Sequence, residues 1–277
     1  MDSRKNVKKD EVSRELLDEQ SPELLKELHL LTREGALNAD ARRKLKQVNH
    51  LYTLVKPVLS ALLEKFDDVT ILDVGAGKAY LGFILYELAL KNRPTGSILS
   101  IETREDLVLK ARGISERLGF NRMSFVHGPV AQFRHSKPVH LLTALHACDT
   151  ATDDALIAGV RGEVEAMAVI PCCQAEVAGL LKDLLKGQGE GVSELWRHGI
   201  HRREFGSHFT NVIRSLALEA YGYQVTVTEL VGWEHSLKNE LILARKIQKS
   251  NPMAENRLHS LLEEISVRPK IIRELYP

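Results

Sequence analysis

The apolar positions of this 277-residue chain change period along its length, and those changes divide it into helices and strands. Residues 1–20 mix both charge signs with few apolar positions, which predicts a frayed or weakly helical start. Ser21-Pro22-Glu23 places a hydroxyl ahead of a proline and opens a short amphipathic helix to about Leu31. A longer helix begins at Asn38 or Asp40. Its apolar positions Leu45, Val48, Tyr52, Val55, Leu59, Leu62 and Phe66 recur at spacings of three and four, giving one continuous stripe. Pro57 falls inside that stripe, so the helix is expected to kink or divide there.

Beyond it, short apolar runs alternate with helical patterns. Strands are expected at Val69–Val74, Ile98–Ile101, Ser124–Val126, Val139–Leu145 and Met167–Ile170. Helices are expected over Leu81–Lys91, up to about Leu118, and from Ala175 to Lys186. Gly187, Gly189 and Gly191 mark a loop, and the helical stretch after it ends at Gly222. Gln224–Leu230 and Leu241–Ala244 alternate like an antiparallel pair joined by the long loop 231–240. A helix and an irregular tail follow from Asn251. Strands separated by helices predict an α/β fold, a Rossmann-like sheet with helices on both faces. The expected organisation is a charged, partly helical extension over 1–37, the α/β domain over 38–250, and a C-terminal helix and tail over 251–277.

Composition narrows this picture. A 44% share of hydrophobic residues is enough for a full core. The charged start MDSRKNVKKD has no apolar segment of the signal-peptide kind, and no apolar run approaches the about 18 residues that cross a bilayer. Three cysteines, with Cys172 and Cys173 adjacent, make neither a disulfide framework nor a zinc-ligand spacing. These features predict a cytoplasmic chain with no membrane partner and no metal. A net charge of +1 leaves nucleic-acid binding to a local basic face.

The segment richest in chemistry is Ile71-Leu72-Asp73-Val74-Gly75-Ala76-Gly77-Lys78-Ala79-Tyr80, a strand running into glycines and the glycines into a helix. Glycine lets the backbone turn sharply and approach a ligand where a Cβ would clash. Dinucleotide folds add a glycine three positions after the second one; here that residue is Tyr80. An acid two positions before the first glycine, as Asp73 is, belongs instead to methyltransferases, which hold methionine and ribose there. Glu102 ends the second strand, where its carboxylate could accept hydrogen bonds from both ribose hydroxyls or simply favour a helix N-terminus. His127-Gly128-Pro129 follows the third strand. Adenine would stack there or accept a backbone hydrogen bond, and the alternative is an ordinary loop histidine.

Three segments together carry a family resemblance: Asp73-Val74-Gly75-Ala76-Gly77-Lys78, then Leu145-His146-Ala147-Cys148-Asp149 with Thr152-Asp153, then Pro171-Cys172-Cys173-Gln174. With His198-Gly199-Ile200 and His235-Ser236-Leu237-Lys238-Asn239, they resemble a bacterial branch of class I methyltransferases similar to the eukaryotic tRNA ribose 2′-O-methyltransferase. The likeness runs from about Lys44 to Arg245. It implies a seven-stranded sheet with the last strand antiparallel, S-adenosyl-L-methionine as cofactor, and RNA as a partner. The candidate cofactor residues, from position and resemblance together, are Asp73, Gly75, Ala76, Gly77, Glu102, His127, Gly128 and Leu145. This chain has Asp149 where the tRNA enzyme has glycine, lacks that enzyme's cysteine/histidine module, and replaces the third glycine of the loop by Ala79.

In an open α/β sheet the carboxyl ends of the strands form the ligand crevice. Candidate catalytic residues are therefore His146, Asp149, Cys172 and Cys173. A hydroxyl acceptor would need a base, for which His146 and Asp149 qualify; Asp149 could equally cap the next helix. The cysteines could supply a thiolate that activates a pyrimidine, or be buried small hydrophobes. Gln174, Arg203, Arg214, Lys238 and Asn239 are candidate substrate contacts. Arg203, Ser207, Asn211 and Arg214 recur at helical spacing, opposite Phe209, Ile213, Leu216 and Ala220. Arg42, Arg43, Lys44 and Lys46 form a second basic run. Either set would suit phosphates or be a solvated face. A protein or small-molecule acceptor, and a non-catalytic cofactor-binding scaffold, are the competing readings.

Overall fold

In the computed structural model, residues 15–132, 137–145, 147–171, 174–184, 191–229 and 240–277 are described. Its strands form a seven-stranded sheet in the order β3-β2-β1-β4-β5-β7-β6. The strands are β1 (Thr70–Val74), β2 (Ser97–Glu102), β3 (Met123–His127), β4 (Leu141–Ala144), β5 (Ala166–Val169), β6 (Tyr223–Glu229) and β7 (Glu240–Lys246). β1 pairs in parallel with β2, β2 with β3, and β4 with β5, whereas β7 runs antiparallel to both β5 and β6. The chain divides into two compact units at Pro129 and Val130.

The first unit begins with α1 (Pro22–Glu27), where the Ser21 hydroxyl accepts from the Leu24 amide at 3.3 Å. α2 (Ala39–Lys65) then runs unbroken through Pro57. Pro57 removes one amide donor from the ladder, but it and Thr53, the residue whose carbonyl loses that donor, both lie on the exposed side. Water can satisfy the orphaned carbonyl, while Leu45, Val48, Val55, Leu59 and Leu62 stay buried on the other face and hold the helix together. The expected division at Pro57 therefore does not occur. After β1 come α3 (Tyr80–Leu85) and, continuous with it, a π-helical turn over Tyr86–Leu90; α4 (Glu105–Leu118) links β2 to β3.

Glu87 of the π turn is 3% exposed. Its carboxylate accepts from the Ser21 amide at 3.1 Å and from the Ser21 hydroxyl, tying α1 to the turn. Burial pushes this carboxyl above its ordinary value of 4.5, against the lowering effect of Ser21. The folded state thus keeps a proton that the unfolded chain releases, so stability falls as pH rises from 4.5 through the raised value. Glu87→Gln is expected to remove that slope. In urea unfolding between pH 4.5 and 7, the variant should gain on wild type as pH rises; a constant difference would contradict this.

The second unit contains α5 (Thr150–Arg161), α6 (Glu176–Leu184), a 3-10 turn over Val192–Trp196, α7 (Gly199–Ala220), α8 (Pro252–Ile265) and α9 (Lys270–Leu275). α7 packs closely on α6 because Gly206 lacks a side chain: a Cβ there would lie 2.9 Å from the Ala178 amide nitrogen. Among the described residues, no helix is long and apolar enough to cross a membrane.

Candidate active site

In the first unit the turn after β1 alternates left-handed residues: Gly75 (φ 61°), Gly77 (φ 58°) and Ala79 (φ 56°). The backbone demand that glycine usually meets persists at Ala79, where a Cβ makes that conformation cost about 1–2 kcal/mol. Two hydrogen bonds fasten this turn to the end of β2. The Ala76 amide donates to the Ile101 carbonyl at 3.1 Å, and the Gly77 amide donates to Glu102 Oε2 at 2.7 Å. Glu102 Oε1 accepts from the Arg104 amide at 3.0 Å and from the Thr103 hydroxyl at 3.3 Å. A carboxylate has about four lone-pair positions, so Glu102 keeps capacity for a ligand hydroxyl while it anchors the turn. Asp73, 1% exposed, packs beneath α3, where a Cβ at Gly82 would stand 3.2 Å from its Oδ2. At the end of β3 the Gly128 amide donates to the Glu102 carbonyl at 3.0 Å, and His127 Nε2 lies 2.9 Å from the Thr103 carbonyl.

The second unit holds a buried polar network. Arg214 of α7 is fully buried. Its Nε donates to Asp153 Oδ1 at 2.8 Å, Nη1 to Asn211 Oδ1 at 3.2 Å, and Nη2 to the Asp149 carbonyl at 2.9 Å. Burial pushes the Asp153 carboxyl upward, and the adjacent guanidinium opposes that shift. Gln174, 4% exposed, donates to the Pro171 carbonyl at 2.9 Å and accepts from the Ser207 hydroxyl at 2.6 Å. Asn211 continues the chain to Glu240 Oε2 on β7 at 2.6 Å. Asp149 stands at the N-cap position of α5 but does not cap it with its side chain. Its Oδ1 instead accepts from the Ala175 and Glu176 amides at 2.8 and 3.3 Å, at the start of α6.

Residues 43–179 match a family described as "Methyltransferase domain". The chain carries an S-adenosylmethionine-dependent methyltransferase domain. A Podospora anserina methyltransferase with bound S-adenosylhomocysteine is similar at 13% identity over 90% of this chain and 97% of that one, with a TM-score of 0.48. Magnesium protoporphyrin IX methyltransferase from Synechocystis PCC 6803 is similar at 13% identity over 81% and 93%, TM-score 0.46. An rRNA methylase from Streptococcus thermophilus is similar at 9% identity over 66% and 89%, TM-score 0.41. Likenesses this distant say nothing about the acceptor. No curated protein sequence matches the chain.

All of the methyltransferase's cofactor candidates but Leu145 fall into one group in the first unit. Asp73, Gly75, Ala76 and Gly77 form the turn after β1, Glu102 is bonded to it, and His127 and Gly128 adjoin Glu102. The Gly128 amide is already engaged with the Glu102 carbonyl, so it is not open to the backbone hydrogen bond expected with an adenine. Leu145, half-buried, follows β4 in the second unit.

One substrate candidate is corrected, and a second is placed in an internal network. Arg214 does not project a free guanidinium to phosphates, because every nitrogen of that group is donated inside the protein to Asp153, Asn211 and Asp149. Gln174 likewise has both ends of its amide committed internally. The stripe Ser207, Asn211, Arg214 is a buried polar seam rather than a solvated face. Arg203, at its N-terminal end, is exposed and pairs with Glu204 at 2.8 Å. His146, Cys172, Cys173, Lys238 and Asn239 lie outside the described residues. Cys148 is described, and exposed. Sequence reasoning missed Asn211 and Glu240 as partners of this seam and gave Asp153 only as part of a resemblance motif. Two polar residues on the inner side of an otherwise apolar helix were the available signal.

Proposed function

We propose that the acceptor of this methyltransferase is RNA. The observation that carries the reading is the surface at the start of α7. Arg197, His198, His201, Arg203 and His208 are exposed there, with Arg202 partly so, next to Leu195 at 54% and Ile200 at 61% exposure. Guanidinium groups interspersed with apolar side chains suit a strand that offers phosphates together with bases and sugars. Glu194 and Glu204 form solvent-exposed pairs with Arg197 and Arg203, and Glu240 lies 3.9 Å from His208. Such pairs are worth about 0–1 kcal/mol, little enough for a phosphate to displace the carboxylate. The resemblance of the Leu145–Asp149 and Pro171–Gln174 segments to an RNA ribose methyltransferase supports the same acceptor.

The cofactor supplies a methyl group on a sulfonium centre, ready for in-line displacement. The chain's part is to hold the donor with the Gly75–Gly77 turn and Glu102, to orient the acceptor, and to exclude water. Labelled methyl transfer to RNA, protein and small-molecule fractions from cells lacking this gene tests the acceptor. Label is expected in ribonuclease-sensitive material. Replacing Arg202 and Arg203 with alanine should flatten the salt dependence of RNA affinity by about one to two charges. Label confined to protein or small molecules would overturn the reading.

A further inference from the structure

We propose that Asp149 is a positioning residue for methyl transfer, one that fastens the head of α5 to the head of α6 and is itself held by Arg214. The first observation is its backbone. Asp149 adopts φ 52°, ψ −124°, a combination that suits glycine and strains any residue with a Cβ. Strain of this kind persists only where the surroundings over-determine it. Here they do: the buried Arg214 guanidinium grips the Asp149 carbonyl at 2.9 Å, and Asp153, one helical turn further along α5, fixes the same guanidinium at 2.8 Å.

The second observation is where the carboxylate goes. It passes over the helix it stands at the head of, α5, and reaches the Ala175 and Glu176 amides at the head of α6. Glycine would relieve the backbone, and α5 would lose no side-chain cap by it. What glycine cannot supply is the oxygen that joins the two helix heads. The strain is therefore maintained for the sake of that link. The Thr152 hydroxyl, which donates to the Ala147 carbonyl, stiffens the same turn from inside α5. Turns at the carboxyl ends of adjacent parallel strands are where α/β enzymes handle their ligands. Fixing their spacing fixes the place where an acceptor would lodge in this unit, and misplacement by about 1 Å can cost about a hundredfold in rate. The inference rests on the reading that an acceptor lodges at these strand ends; it does not require that acceptor to be RNA.

The test compares Asp149→Gly and Asp149→Asn with wild type in the full chain. Whichever cellular fraction accepts label from the wild-type enzyme serves as substrate. Asp149→Gly is expected to melt no lower than wild type and to bind S-adenosylmethionine unchanged, yet to lose at least about tenfold in kcat. Asp149→Asn keeps an oxygen for the Ala175 amide and should recover most of that loss. A glycine variant with wild-type kcat would overturn the proposal, as would one that melts well below wild type. Equal loss in both variants would point to proton transfer by the carboxylate and overturn it as well. Label that appears outside RNA while the Asp149 pattern holds defeats the RNA reading alone; no label in any fraction defeats both.

Discussion

Arg214→Ala is expected to lower the unfolding free energy by about 3–5 kcal/mol, the usual consequence of breaking a buried ion pair from one side. The guanidinium is fully buried and Asp153 is 1% exposed, so the remaining carboxylate would have neither a counter-charge nor water. The Asp149 carbonyl and the Asn211 amide oxygen would each lose a donor as well. Asp153→Ala should be similarly damaging, because it strands the guanidinium instead. A double replacement by apolar residues of similar volume, Arg214→Met with Asp153→Leu, removes both buried charges together and should recover much of the loss. Urea unfolding of the two single variants and the double variant closes the cycle. A cost below about 1 kcal/mol for Arg214→Ala, the range of an exposed pair, would mean that this arginine is not buried as described.

That arginine also shows where the sequence stops being legible. Its recurrence with Arg203, Ser207 and Asn211 on one side of α7 is visible in the chain, but helical periodicity gives only the side, not what lies across from it. Asp153, its partner, is 61 residues away. A polar stripe facing water and one facing a buried carboxylate look alike in sequence, so the phosphate reading of Arg214 failed. The expected division at Pro57 failed for a related reason: its cost depends on whether the orphaned carbonyl meets water, which depends on the packing of α2. The Gly75–Gly77 turn was legible because the requirement is local. Left-handed backbone selects glycine directly, and the strand before it and helix after it carry their own periods. The β6–β7 pair was legible from alternation in the same way. The π turn at Tyr86–Leu90 carries no such signal, since its extra residue per turn is stabilised by the Ser21–Glu87 contact from another element.

Glu102→Ala is expected to weaken S-adenosylmethionine binding by about 1.5–3 kcal/mol, the range for lost hydrogen bonds to a charged group. Two effects would act together: in the proposed site a ribose hydroxyl loses its carboxylate acceptor, and the Gly77 amide loses the bond at 2.7 Å that anchors the turn. Glu102→Gln retains an acceptor oxygen without the charge and should fall between alanine and wild type. Global stability should change less than affinity, because the carboxylate lies at the end of β2 and not in the apolar core.

The central claim, that this chain binds S-adenosylmethionine through the turn after β1, is tested most directly by the melting temperature as the ligand is raised through the millimolar range. A ligand that binds only the folded state stabilises it by RT ln(1 + [L]/Kd), about 2.7 kcal/mol at a hundred times Kd. Wild type is expected to show a saturable upward shift with S-adenosylmethionine and with S-adenosylhomocysteine, displaced to higher concentration in Glu102→Ala. No shift with either compound at millimolar concentration would contradict the account.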